Sequence, residues 1–138
     1  MNTAKRIYTV DFRISGEGVK PEQISSDLGL VPSQTRYAGE PKGKVGFFTD
    51  GLWAYAISNE KLGRNEWWSL EEGLSSALKA LTEKRESILA YAKRFDVYWW
   101  CGQFQSSFGG GFTLSADLLR DLSSFGVELR LETYWSDG

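Results

Sequence analysis

The chain has 138 residues with 16 basic and 18 acidic side chains, one cysteine and no histidine. That length suits one domain around one core, and the interspersed charges exclude the basic footprint that phosphate backbones require. Without histidine the chain lacks the commonest general base near neutral pH, the usual zinc ligand, and the serine and cysteine triads in their familiar forms.

Six Trp, six Tyr and eight Phe make the aromatic share high, so large rings carry much of the packing. Cys101 alone forms no internal disulfide, and no N-terminal apolar stretch resembles a signal peptide. The apolar runs are too short to span a membrane. The expectation is a single cytoplasmic domain over residues 1–138, with no cofactor, no metal, no nucleic acid and no membrane.

Ile7 to Ser15 alternates, with Tyr8, Val10, Phe12 and Ile14 on one side and Thr9, Asp11 and Arg13 on the other, which predicts a strand with one buried face. Pro21 opens a short helix with Ile24 and Leu28 four apart, and Gly29 closes it. Ser33 to Tyr37 reads as a short extended segment and Gly39 to Lys44 as a loop. Asp50-Gly51 signals a hairpin turn into a strand over Leu52 to Ile57.

Ser69-Leu70-Glu71-Glu72 has the spacing of a capping box, and Leu74, Leu78, Leu81, Ile88, Ala92 and Phe95 keep a helical period after it. Glu83 to Glu86 marks a bend or break in that helix. A strand follows from Val97 to about Gln105, then a helix capped by Ser115 and stopped by Gly126. Val127, Leu129 and Leu131 alternate with Glu128, Arg130 and Glu132 in a last strand with one wet face. The order predicts an α+β fold, a mostly antiparallel sheet with helices packed on one face, and a βαβ-type pseudo-repeat around a long central helix.

Four features invite functional readings. Val97 to Phe104 puts Val97, Trp99 and Cys101 on one face and Tyr98, Trp100 and Phe104 on the other. The simpler reading is a central strand covered on both sides, and the alternative is an exposed aromatic patch or a groove wall. Cys101, with no histidine to make its thiolate, reads as a buried structural thiol. Gly109-Gly110-Gly111 before the Ser115 cap lacks a Gly-Lys-Ser/Thr ending and dinucleotide spacing, so it reads as a connection. Trp67-Trp68 precedes a helix cap, and the staple partner expected for Trp68 is Gly73, which has no side chain. No local spacing singles out an acid/base pair, and a carboxylate hydrolase would need two acids facing one cleft.

The order of motifs resembles the bacterial family catalogued as domain of unknown function 4279. The resemblance is carried by Tyr8-Thr9-Val10-Asp11-Phe12-Arg13-Ile14, Leu28-Gly29-Leu30-Val31-Pro32-Ser33, Gly39-Glu40-Pro41, Gly51-Leu52-Trp53, Leu114-Ser115-Ala116-Asp117-Leu118-Leu119 and Tyr134, and it spans nearly the whole chain. It implies the fold and a bacterial cytoplasmic origin and transfers no activity.

Two functions from different classes are expected. The first is a non-enzymatic module that binds a protein partner, of immunity type, through exposed members of Trp67, Trp68, Trp99, Trp100 and Trp135. The second is a small-ligand pocket where Arg36, Glu40, Trp53 and Tyr134 converge near the Gly39–Pro41 loop.

Overall fold

The computed structural model describes residues 6–106 and 111–135. The glycine run therefore lies mostly outside the described residues. Five strands, β1 (Arg6–Gly16), β2 (Gln34–Arg36), β3 (Gly51–Ala56), β4 (Asp96–Gln105) and β5 (Glu128–Trp135), form one sheet in the order β2-β3-β1-β4-β5. The contacts β2 to β3, β3 to β1 and β1 to β4 are antiparallel, and β4 to β5 is parallel. The fold is α+β, with the mostly antiparallel sheet that the sequence predicts.

The period-two pattern of β1 fixes its faces. Tyr8, Val10, Phe12 and Ile14 are at most 3 % exposed. Helices α1 (Pro21–Leu28), α2 (Leu70–Leu81), α3 (Arg85–Ala92) and α4 (Ala116–Ser123) bury Ile24, Leu28, Leu74, Leu81, Ile88, Leu118 and Leu122 in the same cluster. All four therefore lie on one side of the sheet. A row of rings crosses this core: Phe12 meets Trp53 edge-on at 6.4 Å and Trp99 at 5.1 Å, and Trp99 meets Phe125 at 5.7 Å. Such pairs add about 0.5–1.5 kcal/mol each beyond the area they bury.

The helix ends follow their local chemistry. Pro21 occupies the first turn of α1, and Gly29 closes it at φ 65°, its N–H bonded to the Ser25 carbonyl at 2.8 Å. The Ser69 hydroxyl accepts the Glu72 N–H at 3.2 Å, and the Ser115 hydroxyl accepts that of Leu118 at 3.1 Å. A 3₁₀ turn at Thr82–Lys84 separates α2 from α3, so the charged stretch is a break.

Two expectations change. Asp50-Gly51 is not the reversal between β2 and β3: Gly51 begins β3, and the chain turns farther out, where the Lys42 N–H meets the Gly46 carbonyl at 3.0 Å. A short outer ladder through Pro41 and Phe47 pairs first, so the tight turn belongs to it. β4 is covered by helices on one face only. Leu119, apolar like its buried neighbours Leu118 and Leu122 in α4, is 50 % exposed. As for the two halves, β1-α1-β2 and β4-α4-β5 each run into a parallel strand, yet β3 lies between β1 and β2 while β4 and β5 are neighbours.

Candidate functional site

Antiparallel partners and their neighbours two residues away share a face, so the sheet registers place Asp11 and Arg13 of β1, Tyr98, Trp100 and Phe104 of β4, and Arg130 and Tyr134 of β5 together on the side without helices. A solvated sheet face ordinarily carries scattered polar groups. Here rings and guanidinium groups alternate across three strands.

The Arg13 guanidinium lies 4.3 Å from the Trp100 ring centroid and donates to Asp11 Oδ2 at 2.8 Å. Arg130 repeats the arrangement from the other side of β4: it sits 3.8 Å above the Tyr98 ring, donates to both Asp96 carboxylate oxygens at 2.8 Å and to Glu128 at 3.0 Å. The Glu128 bond first, then the Asp96 bond, hold Arg130 charged well above the usual guanidinium range. Phe104 and Tyr134 stack with centroids 4.9 Å apart, and Trp100 lies 6.4 Å from Tyr134. The Tyr134 hydroxyl donates to Glu132, which raises the phenol's pKa.

Gly102 makes the ring row possible. A Cβ there would stand 2.7 Å from Thr9 Oγ1, 3.0 Å from the Phe104 ring and 3.3 Å from that of Trp100. Beneath it the buried Thr9 hydroxyl has no hydrogen-bond partner among the described residues. Arg13 pairs with Asp11, and Arg130 with Asp96 and Glu128, while Glu132 accepts the Tyr134 hydroxyl, so the acids Asp11, Asp96, Glu128 and Glu132 outnumber Arg13 and Arg130. The surface offers flat apolar area with preset polar edges and repels polyanions.

The structure divides the predicted tryptophans. Trp99 is fully buried, and Trp67 is 8 % exposed with its indole N–H on the Ile57 carbonyl at 3.1 Å, so neither can meet a partner. Trp100 is half-buried on the open face. Trp135 is exposed at the end of β5 and shares the parity of Leu129 and Leu131, facing the helix side. Trp68 is exposed beside α2, in a cleft of about 620 Å³ that Asn59, Lys61, Glu72, Ser76 and Lys79 help to line. Glu60 and Glu71 also border this cleft, but the Glu71 carboxylate accepts the Ser115 N–H at 2.6 Å and so anchors the start of α4.

Arg36, Glu40, Trp53 and Tyr134 do not converge. Trp53 is fully buried and its indole N–H donates to Ser25 of α1 at 3.0 Å. Arg36 pairs with Leu52, on the opposite face from Trp53, where it lies 4.1 Å over the Phe48 ring. Glu40 accepts the Tyr37 N–H within the hairpin, and Tyr134 stands at the other edge of the sheet. Tandem motifs along the chain gave no signal of this separation, because strand order reorders them.

Sequence reasoning names Tyr98 and Phe104 only as one face of β4 that could form an aromatic patch, and does not include Arg13 and Arg130 in a site. Their parity within each strand is readable; that three strands lie side by side in one register is not. Among the described residues no group of His, Cys, Asp and Glu could hold a metal ion, and no helix is long and apolar enough to cross a membrane.

Comparison with curated proteins and with solved structures finds no match. A protein-family profile, that of the domain of unknown function DUF4279, matches residues 6–136, from the first residue of β1 to just past the end of β5. The chain therefore belongs to the DUF4279 family.

Proposed function

We propose that this protein is a non-enzymatic binding module that engages a protein partner through the helix-free face of its sheet. The observation that carries the reading is the row Trp100, Phe104 and Tyr134, interleaved with Arg13 and with Arg130, which covers the buried Tyr98 ring. Tyr, Trp and Arg are the side chains that most often anchor protein interfaces, because they bury large area with few torsions to freeze. The cation–π and ion-pair contacts already hold these side chains in place, which lowers the ordering cost of association. An immunity-type role, in which the face covers a partner's working surface, is the specific form of this reading.

The test is capture from lysate of the native host by three baits: the wild type, a Phe104→Ala/Tyr134→Ala variant and Trp68→Ala. Both altered rings of the double variant are more than a third exposed, so the fold is expected to survive. One co-purifying protein should be retained by the wild type and by Trp68→Ala and lost from the double variant. A partner lost only from Trp68→Ala would overturn the assignment of the face.

The Trp68 cleft favours a second reading, a small polar ligand stacked on an exposed indole between Lys61, Lys79 and Glu72. Thermal-shift screening of the wild type against Trp68→Ala checks it, the expected result being a ligand that stabilises only the wild type.

A further inference from the structure

We infer that β5 is a self-pairing edge, and that two copies of the chain join through it in one antiparallel register centred on Leu131. β5 is the last strand of the sheet order, eight residues long, and its outer side meets no other strand among the described residues. Open edges are usually blunted by proline, a bulge or charged side chains. β5 has no proline and an uninterrupted register with β4, and its charges alternate in sign, Glu128-Leu129-Arg130-Leu131-Glu132, so that they can complement a second copy instead of repelling it.

The pattern selects its own register. Two copies related by a two-fold axis normal to the sheet keep their faces, so only residues of equal parity can oppose each other. Centred on Arg130, the pairing sets Arg130 against Arg130 and Glu128 against Glu132; centred on Glu132, it sets Glu132 against itself. Both place like charges directly opposite, which is destabilising. Centred on Leu131, Arg130 faces the second copy's Glu132 twice, Leu131 faces Leu131, and Leu129 faces Thr133. Centring on Leu129 or on Thr133 also avoids like charges, but opposes only residues 128–130 or 131–135 of β5, against 128–134 for Leu131, and centring on Thr133 forms no Arg–Glu pair. Charge and overlap thus agree on Leu131. Glu132 is exposed and Arg130 keeps more than a third of its side chain in solvent, so both are accessible to a second copy.

A second feature lies next to this edge. Leu119, Leu122, Val127 and Leu129 border an apolar groove of about 430 Å³ between α4 and the start of β5, with Leu119 half exposed. The second copy brings its helix layer up on the same side of the joined sheet, and would cover part of this surface. The open faces would likewise continue across the junction, extending the ring row from one copy to the next.

The register has a direct test, because Cys101 is fully buried and does not compete in a thiol assay. Opposed residues have Cβ atoms about 4.5–5.5 Å apart, close to disulfide reach. Leu131→Cys should therefore cross-link to itself on mild oxidation. Thr133→Cys should not, since its copies would be offset by four residues, roughly 13 Å along the strands. Sedimentation of the wild type at micromolar concentrations should give twice the 15.5 kDa chain mass, and Glu132→Arg, which sets like charges opposite Arg130, should give a monomer with an unchanged circular dichroism spectrum. A monomeric wild type, a dimer that Glu132→Arg leaves intact, or equal cross-linking of both cysteine variants would overturn the inference.

Discussion

Gly73 shows how one missing side chain sets a helix position. A Cβ there would come 2.9 Å from Val10 Cγ2, closer than such atoms approach, and 3.1 Å from Trp67 Cγ, tighter than nearly all such contacts. Glycine in a helix interior costs about 1 kcal/mol relative to alanine, yet here it lets α2 lie against β1 with the Trp67 ring between them. Trp67 uses the space from both ends: its backbone pairs with Tyr8 and its indole N–H reaches Ile57. The absent staple partner for Trp68 is thus the room that Trp67 occupies. Gly73→Ala is expected to lower stability by about 1–3 kcal/mol, the usual cost of overpacking, despite the better helix propensity of alanine. Urea unfolding measures this directly, and a stabilised variant would show that α2 can move aside.

Between elements, the Tyr91 hydroxyl of α3 donates to the Asp27 carboxylate of α1, tying together two helices far apart in sequence. Burial first, and the Asp27 bond second, push the Tyr91 phenol from 10.0 up to about 12. The bond from Tyr91 first, and that from Gln23 second, hold the Asp27 carboxyl below its ordinary 3.8. A phenol whose pKa rises on folding is favoured in its neutral form, so its contribution is complete below pH 10 and is lost as pH climbs toward about 12. A carboxyl whose pKa falls on folding contributes above 3.8, and that share is lost as pH drops below it. Tyr91→Phe should therefore be less stable than the wild type at neutral pH, with the difference shrinking at both extremes. Melting temperatures of the two proteins across pH 3 to 12 check the shape, and a pH-independent difference would assign the loss to packing alone.

At the scale of the molecule, Cys101 reports on the sheet as a unit. It sits in β4 opposite Val10, fully buried, and burial first and the Asp11 charge second raise its thiol to about 12. At pH 8 the native thiol is both protonated and inaccessible, so labelling by a thiol reagent should await global opening. The labelling rate is then expected to rise with urea in proportion to the unfolded fraction. Rapid labelling in native buffer would mean that β4 parts locally from β1, which the pairing of ten β1 residues with β4 argues against.

Local pattern determined the elements: the alternation in β1, the proline and glycine bounding α1, the serine caps at Ser69 and Ser115, and the leucine periods of α2 and α4 each act through neighbours a few residues away. Pattern also fixed the two faces of β4, with Trp99 and Cys101 apart from Tyr98, Trp100 and Phe104. Tertiary structure decided which of those faces the helices cover, which tryptophans are buried, and which charges meet. Trp53 and Trp100 look alike in sequence, but only the first has α1 above it. Arg13 and Arg130 became part of one surface because β1 and β5 flank β4, an order set by long-range pairing and burial. A period of two records which residues share a face within a strand and carries no record of the strand that will lie beside it.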